Sequence, residues 1–253
     1  MITNKLKKVV SSGGTVIGTF IVSASPDLVE IAAISGFNFV VIDNEHGFIC
    51  PESLQHLVRA AELRGIAPIV RIPNARESTI LHTLDIGAHG IQVPQVNNAQ
   101  TALEIVRYSK FAPAGRRGVA FPRAADYAMA EMTQYFRDVN DQTMIITHCE
   151  NEECLLSLDE ICAITEVDVV FIGPYDMSQS MGVIGQVTHP KVEDAVKKVL
   201  EVTKKHGKAA GIFAGSGAIA KERAKQGFQY IAIGMDTVLF GQKCKQEVSA
   251  YRD

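Results

Sequence analysis

Eight short apolar runs rich in β-branched residues recur along this chain of 253 residues, at 15–22, 37–43, 67–72, 90–96, 143–150, 167–173, 209–214 and 230–234. Segments with helical spacing separate them, at 27–34, 52–64, 77–86, 99–108, 158–164, 192–206 and 218–226, and another at 235–248 follows the last. Unbroken apolar runs are what a parallel strand buried on both faces requires, because helices cover one side and other strands' side chains fill the other. Local signals agree: Pro51 suits a first helical position, Asn97 and Ser157 are placed to cap, and Gly65, Gly87, Gly207 and Gly227 fall where helices end. The segments SGFNFVVID, IGAHGIQVP, EVDVVFIGP and QGFQYIAIG repeat the same step from helix end to buried strand.

Eight β/α units in about 250 residues are the count expected of a TIM (β/α)8 barrel, an α/β fold. No low-complexity linker divides the chain, so residues 1–253 are read as one domain. Functional groups of such a barrel collect at the C-terminal ends of its strands. Residues 112–142, containing GRRGVAFPRAADYAM, form a longer connection than usual and are expected at that face, closing over a substrate.

Composition narrows the function classes. The chain is 47% hydrophobic and 21% charged with net charge −3 and has no Lys/Arg run, which argues against a nucleic-acid surface. MITNKLKKVVSSGG lacks a long apolar core and no stretch approaches transmembrane length, so a cytoplasmic chain without a membrane partner is expected. The five cysteines are odd in number and include no C-x-x-C pair, which disfavours a disulfide framework or a thiolate zinc site. Cys149 follows His148, but neighbours on a strand face opposite ways, so His148 and Glu150 share a face that Cys149 does not.

The chemistry lies where the runs stop. The second ends VVIDNEHGF, where Asp43 can orient the His46 imidazole as a proton-transfer dyad; equally, Asp43 and Glu45 can cap a loop while His46 makes a structural hydrogen bond. Arg71, in PIVRIPN, ends a strand too apolar for an unpaired guanidinium, which calls for a substrate anion, a structural partner such as Asp43 or Glu150, or both. Glu150 and Asp176, after the fifth and sixth runs, either share a hard ion, Mg²⁺ or Mn²⁺, or make separate salt bridges. The N–H groups of Tyr175 and Asp176 in FIGPYDMS can meet an anionic substrate. A small α-keto acid fits this set, with the metal and Arg71 stabilising an enolate.

The ordered motifs IDNEHG, VRIP, LDIGAHGIQVPQV, APAGRRG, FIGPYDMSQSMG and HPKV resemble the HpcH/HpaI class II aldolases, which include 2,4-dihydroxyhept-2-ene-1,7-dioate aldolase and keto-deoxy sugar-acid aldolases. The resemblance covers nearly the whole chain. It implies metal-dependent, reversible retro-aldol cleavage of a 4-hydroxy-2-oxo acid to pyruvate and an aldehyde, in a homo-oligomer, a hexamer by resemblance. By the same resemblance Glu150 and Asp176 hold the divalent ion, Mg²⁺ or Mn²⁺ with Co²⁺ as a further candidate. Arg71 stabilises the pyruvate enolate, Asp43 and His46 are the acid/base dyad, and Asp85 is a supporting acidic position near a subunit contact. Phe20, Val119 and Phe213 match positions flanking the aldehyde, with Phe121 nearby; packing at the barrel mouth is the other reading of the aromatics. Arg116 and Arg117 either receive a distal carboxylate or tie down their loop.

The chain departs from the family at His148, where glutamine is usual, and His148 is read as contacting substrate or ion. Three alternatives remain. Oxaloacetate decarboxylation would use the same enolate. A phosphate-binding isomerase would use AGSG at 214–217 and IGMD at 233–236. The third, suggested by His148 in place of the amide, is a non-catalytic keto-acid binding barrel or oligomeric scaffold.

Overall fold

The computed structural model describes residues 3–129 and 131–252. Strands β1 (Val16–Ile21), β2 (Phe39–Asp43), β3 (Ala67–Arg71), β4 (Gly90–Val93), β5 (Met144–Cys149), β6 (Val169–Ile172), β7 (Ala209–Ala214) and β8 (Tyr230–Met235) close into one parallel barrel in chain order. All eight lie within the runs expected, apart from one residue at the end of β8. Helices α2 (Pro26–Ile34), α3 (Pro51–Arg64), α4 (Glu77–Asp85) and α5 (Ala99–Ser109) follow the first four strands. After β5, β6 and β7 come α7 (Glu152–Cys162), the pair α8 (Pro174–Ser180) and α9 (Pro190–Lys205), and α10 (Gly217–Gln226).

Two caps differ from expectation. Asn98, not Asn97, accepts the Thr101 N–H at the start of α5, and Asn151 accepts the Cys154 N–H at the start of α7. Ser157 therefore lies inside a helix that begins six residues earlier than periodicity indicated. Pro51 and the helix-ending glycines stand as read, Gly65 and Gly227 with φ of 71° and 113°.

The inward side chains sort by height. Val16, Phe39, Ala67, Met144, Val169, Ala209 and Tyr230 belong to a buried interior cluster that also takes Leu6 and Val10 of α1 (Lys5–Ser11). That short N-terminal helix, which periodicity did not reveal, closes the barrel at the N-terminal ends of its strands. Asn4 ties it there, donating to the carbonyls of His89 and Gln142 at 2.9 Å each. Two residues further up each strand the lining is still apolar. At the C-terminal ends Asp43, Arg71, Gln92 and His148 continue the same inward phase, so the polar groups share one end.

Glycine makes this interior possible at two strand positions. A Cβ on Gly18 would lie 2.4 Å from the Phe39 ring, and one on Gly211 would lie 2.9 Å from Phe171. The space left free holds Phe39 and Tyr230 stacked with centroids 4.1 Å apart.

The 112–142 connection lies at the opposite end from the one expected. It joins the end of α5 to the start of β5, through an irregular 3₁₀ stretch at Arg123–Ala128 and α6 (Met132–Gln142). A segment that follows a helix and precedes a strand belongs to the N-terminal end of a barrel, so its length alone misled. Phe111, Ala125 and Tyr135 form its own small core, and Asn140 pins Phe111 through two hydrogen bonds of 2.7 and 3.0 Å.

The last helix, α11 (Asp236–Arg252), buries only Asp236, whose carboxylate accepts the N–H groups of Val22 and Ser23 at the end of β1. No helix among the described residues is long and apolar enough to cross a membrane.

Gly18→Ala is expected to destabilise the fold by about 1–3 kcal/mol through overpacking against Phe39. Gly217→Ala, where a Cβ meets nothing within 4 Å, is expected to leave stability nearly unchanged. Urea unfolding midpoints of the two variants check this.

Candidate active site

Register places the first pair. Asp43 of β2 lies opposite Arg71 of β3, and the Asp43 carboxylate accepts from Arg71 Nε at 2.9 Å and Nη2 at 2.6 Å. Asp43 is fully buried. Its Oδ1 also accepts the backbone N–H groups of Glu45 and His46 at 3.1 and 3.2 Å. Burial raises the Asp43 pKa, but the Arg71 hydrogen bonds and charge and the two N–H groups outweigh it, and the carboxyl is held below its usual range. Burial likewise disfavours the Arg71 cation, and Asp43, Glu45 and Glu150 reverse that. The guanidinium carbon sits 4.9 Å over the Phe20 ring, and Nη1 lies 3.3 Å from Glu45 Oε2.

This geometry corrects the expected Asp43–His46 dyad. Both Asp43 oxygens are committed to Arg71, and Asp43 touches only the main chain of His46. The imidazole is 71% exposed, and the carboxylate near it is Glu45, with Oε2 at 3.9 Å from Nε2. Burial pushes the Glu45 carboxyl up despite the neighbouring Arg71. In the same D-N-E-H segment, spacing offers Glu45 only as a loop cap, and the fold brings it to Arg71 and His46.

Glu150 follows β5. Its Oε2 lies 2.8 Å from His148 Nδ1, and its Oε1 accepts the Gln95 N–H at 2.7 Å. Gln95 holds a left-handed backbone, φ 51°, which no side-chain signal in the sequence announces. Burial raises the Glu150 pKa, yet His148, the Gln95 N–H and Arg71 bring it below the ordinary value.

Asp176, in the first turn of α8, faces the same space. A Cβ built on Gly173 would lie 3.2 Å from Asp176 Oδ2 and 3.8 Å from Glu150 Oε2, so any side chain at residue 173 would enter the gap the two carboxylates border. Among the described residues no group of three or more His, Cys, Asp or Glu side chains is arranged around a common point. The arrangement is a two-carboxylate one. Each Glu150 oxygen keeps a lone pair beyond its present hydrogen bond, and this donor set suits a hard ion that retains water rather than zinc.

These groups open into a cavity of about 490 Å³. His46, Arg71, His148 and Asp176 form its polar side, and Phe20, Phe171, Tyr175, Phe213, Met235 and Val238 its apolar side. Phe20 packs 6.0 Å from Phe213, and Tyr175 meets Phe213 edge-on at 6.2 Å. Gly215 and Gly234 also reach this cavity, while the Ser216 hydroxyl is taken by the Ile219 N–H at the start of α10.

Two expected members are elsewhere. Asp85 ends α4 at the N-terminal end of the barrel, where its carboxylate accepts from Arg117 Nη2 at 2.7 Å. Val119 is exposed in the 112–142 connection, as is Phe121. Val119 is remote from the cavity of its own chain because of where that connection lies, and Asp85 because it ends a helix at that same end. Arg117, stacked 4.8 Å over Phe111, ties its loop down, and Arg116 is 3.5 Å from Glu77. Cys149 is buried in the helix layer and does not line the cavity, and a neighbouring Cys154 and burial push its thiol well above the ordinary range.

The profile of the HpcH/HpaI aldolase/citrate lyase family matches residues 16–242. The chain belongs to this family. It is thereby an enzyme of a lyase family. The 2-keto-3-deoxy-L-rhamnonate aldolase of Klebsiella pneumoniae is 31% identical over 252 residues, which are 100% of this chain and 94% of the relative. An HpcH/HpaI aldolase from Desulfitobacterium hafniense superposes with a TM-score of 0.94 at 31% identity, covering 98% of this chain and 96% of that one. The citrate synthase SbnG superposes with a TM-score of 0.89 at 31% identity, covering 98% and 97%.

Because the Asp43 carboxyl is depressed in the folded state, its contribution to stability is complete above the ordinary value of 3.8 and is lost as pH falls through the folded-state pKa. Asp43→Asn is expected to lower stability at neutral pH by about 3–5 kcal/mol, since it leaves Arg71 buried without its anion. The variant should also lose less stability than wild type on further acidification. Denaturant unfolding from neutral pH down to about pH 3 reads both effects.

Proposed function

We propose that this chain catalyses metal-dependent, reversible retro-aldol cleavage of a 4-hydroxy-2-oxo acid into pyruvate and an aldehyde. The observation that carries the reading is the pair of carboxylates, Glu150 and Asp176, bordering one gap at Gly173, which with Asp176 lines the cavity that Arg71 enters. Membership of the aldolase/citrate lyase family supports it.

Glu150 and Asp176 would hold Mg²⁺ or Mn²⁺, with Co²⁺ as a further candidate, supplying Lewis acidity toward the keto oxygen. The substrate carboxylate meets the N–H groups of Tyr175 and Asp176, which lie in the first turn of α8 where helix donors lack intrahelical acceptors. His46 at the cavity rim, with Glu45 beside it, takes the proton from the C4 hydroxyl. As C4–O becomes a carbonyl, the C3–C4 bond breaks and its electron pair enters the enolate of pyruvate. Arg71, clamped by Asp43, keeps donors for the negative charge on the C2 oxygen of the enolate. Return of a proton to C3 gives pyruvate.

Phe20 and Phe213, with Tyr175, receive the aldehyde substituent. Arg71 is the one Lys or Arg among the cavity's described lining residues, so no second cation awaits a distal carboxylate there. Val119 and Asp85, remote from the site of their own chain, would act only across a subunit contact. Exposed Val238, Phe240, Val248 and Tyr251 on α11 support a homo-oligomer, the hexamer of the family resemblance.

The same site admits a second reading, in which oxaloacetate loses CO₂ to give the same enolate, since Arg71 would meet the same developing charge. Pyruvate release from oxaloacetate, compared with release from 4-hydroxy-2-oxo acids, separates the two.

Chelation is expected to abolish pyruvate release, and Mg²⁺ or Mn²⁺ to restore it. Glu150→Gln, Asp176→Asn and Arg71→Met should each lower kcat/KM by about 10²–10³. Undiminished activity after chelation would overturn the reading. In the pyruvate-addition direction, propanal is expected to exceed succinic semialdehyde in kcat/KM by about tenfold, and Phe213→Ala to erase most of that preference.

A further inference from the structure

A line of buried polar groups crosses the barrel beneath the cavity and ends on Glu150. The Tyr230 hydroxyl of β8 donates to Gln92 Oε1 of β4 at 3.1 Å. Gln92 Nε2 lies 2.6 Å from His148 Nε2, and His148 Nδ1 lies 2.8 Å from Glu150 Oε2. Tyr230 and Gln92 are completely buried, and His148 is 2% exposed. None of the three can trade its partner for bulk water at no cost.

The direction of every proton follows from either end. The Glu150 carboxylate oxygen, 2.8 Å from the ring, only accepts, so His148 Nδ1 carries the hydrogen of that contact. Nε2 of that tautomer is a lone pair and needs a donor, which the Gln92 amide nitrogen supplies. The amide then turns its oxygen to Tyr230, whose hydroxyl donates to it. Rotating the amide would instead put its oxygen against the imidazole lone pair and its N–H group against Tyr230. Packing holds the rings as well: His148 stacks on Phe171 at 5.0 Å, and Tyr230 on Phe39 at 4.1 Å.

We propose that Gln92 and Tyr230 are positioning residues for Glu150, acting through the Nδ1–H tautomer of His148, whose two ring nitrogens are committed to this line rather than to an ion or a substrate. The proposal rests on the reading of Glu150 as a metal ligand. It replaces the expectation that His148 itself contacts substrate or ion. It also accounts for histidine at a position where the family resemblance expects glutamine. An amide, like an imidazole, sets a donor and an acceptor on one carbon and can join Gln92 to Glu150 in the same sense. Outer partners of this kind fix ligand orientation, and their loss typically weakens metal binding by about 10–100-fold.

The test uses the intact chain with Mn²⁺ alone as probe, titrated calorimetrically, and ¹⁵N spectra of imidazole-labelled, metal-free protein. His148 is expected as the Nδ1–H tautomer. Gln92→Leu and His148→Phe should raise the Mn²⁺ Kd by about 10–100-fold, and Tyr230→Phe, which keeps the ring stack, by about 3–10-fold. His148→Gln should stay within about threefold of wild type, a rescue that a purely space-filling role would not give. Thermal midpoints of the same samples report folding, and Tyr230→Phe decides the matter should Gln92→Leu not fold. An Nε2–H tautomer in wild type, or an unchanged Kd in both Gln92→Leu and Tyr230→Phe, overturns the proposal. Absence of Mn²⁺ binding to wild type overturns the metal reading instead, and the tautomer then decides the direction of the line.

Discussion

The Asp43–Arg71 pair is the contact from which the rest of the site takes its shape. Two opposite charges are removed from water there, and the arrangement is tolerable because the guanidinium fork meets the carboxylate in two hydrogen bonds while two backbone N–H groups serve the same oxygen. Asp43 thus does three things at once. It orients Arg71 over Phe20, pins the turn that carries Glu45 and His46, and locks the upper ends of β2 and β3. The remaining guanidinium donors are left toward the cavity and toward Glu45.

Height along the barrel divides stability from chemistry. The N-terminal end is sealed by α1 and filled by apolar side chains that interlock only because Gly18 and Gly211 leave room. The same inward phase, continued to the C-terminal ends, delivers Asp43, Arg71, Gln92 and His148, and then Glu150 just beyond. Polar groups at that height keep partners on neighbouring strands, so one end of the interior can be charged without unpaired charge. The line from Tyr230 to Glu150 joins the two regions, since its phenol ring belongs to the packed interior and its last hydrogen bond to the site.

Much of this was legible from pattern. Continuous β-branched runs separated by helical spacing located all eight strands, and of the ionisable residues at their ends Arg71 and Asp176 line the cavity while Glu150 lies beside Gly173. Spacing was a poorer guide to pairing. D-x-x-H suggested a dyad, but the turn directs the His46 main chain to Asp43 and leaves the imidazole near Glu45. Length was a poorer guide to place, since the 112–142 connection follows a helix and therefore carries Val119 to the far end. Gln92 and Tyr230 do carry a signal in the sequence, as polar groups in the inward phase of otherwise apolar strands. Gln95 offered none, because its part is played by a backbone N–H in a left-handed turn.

By itself, then, the sequence determined the barrel, the order of its strands and the end at which chemistry collects, because hydrophobic periodicity and chain direction are properties of local segments. Only the tertiary structure decided which charged groups are partners. Asp43 with Arg71, His148 with Glu150 and Gln92, and Asp85 with Arg117 are contacts between segments 2 to 56 residues apart. Their distances depend on strand register and barrel closure, and no spacing along the chain encodes those.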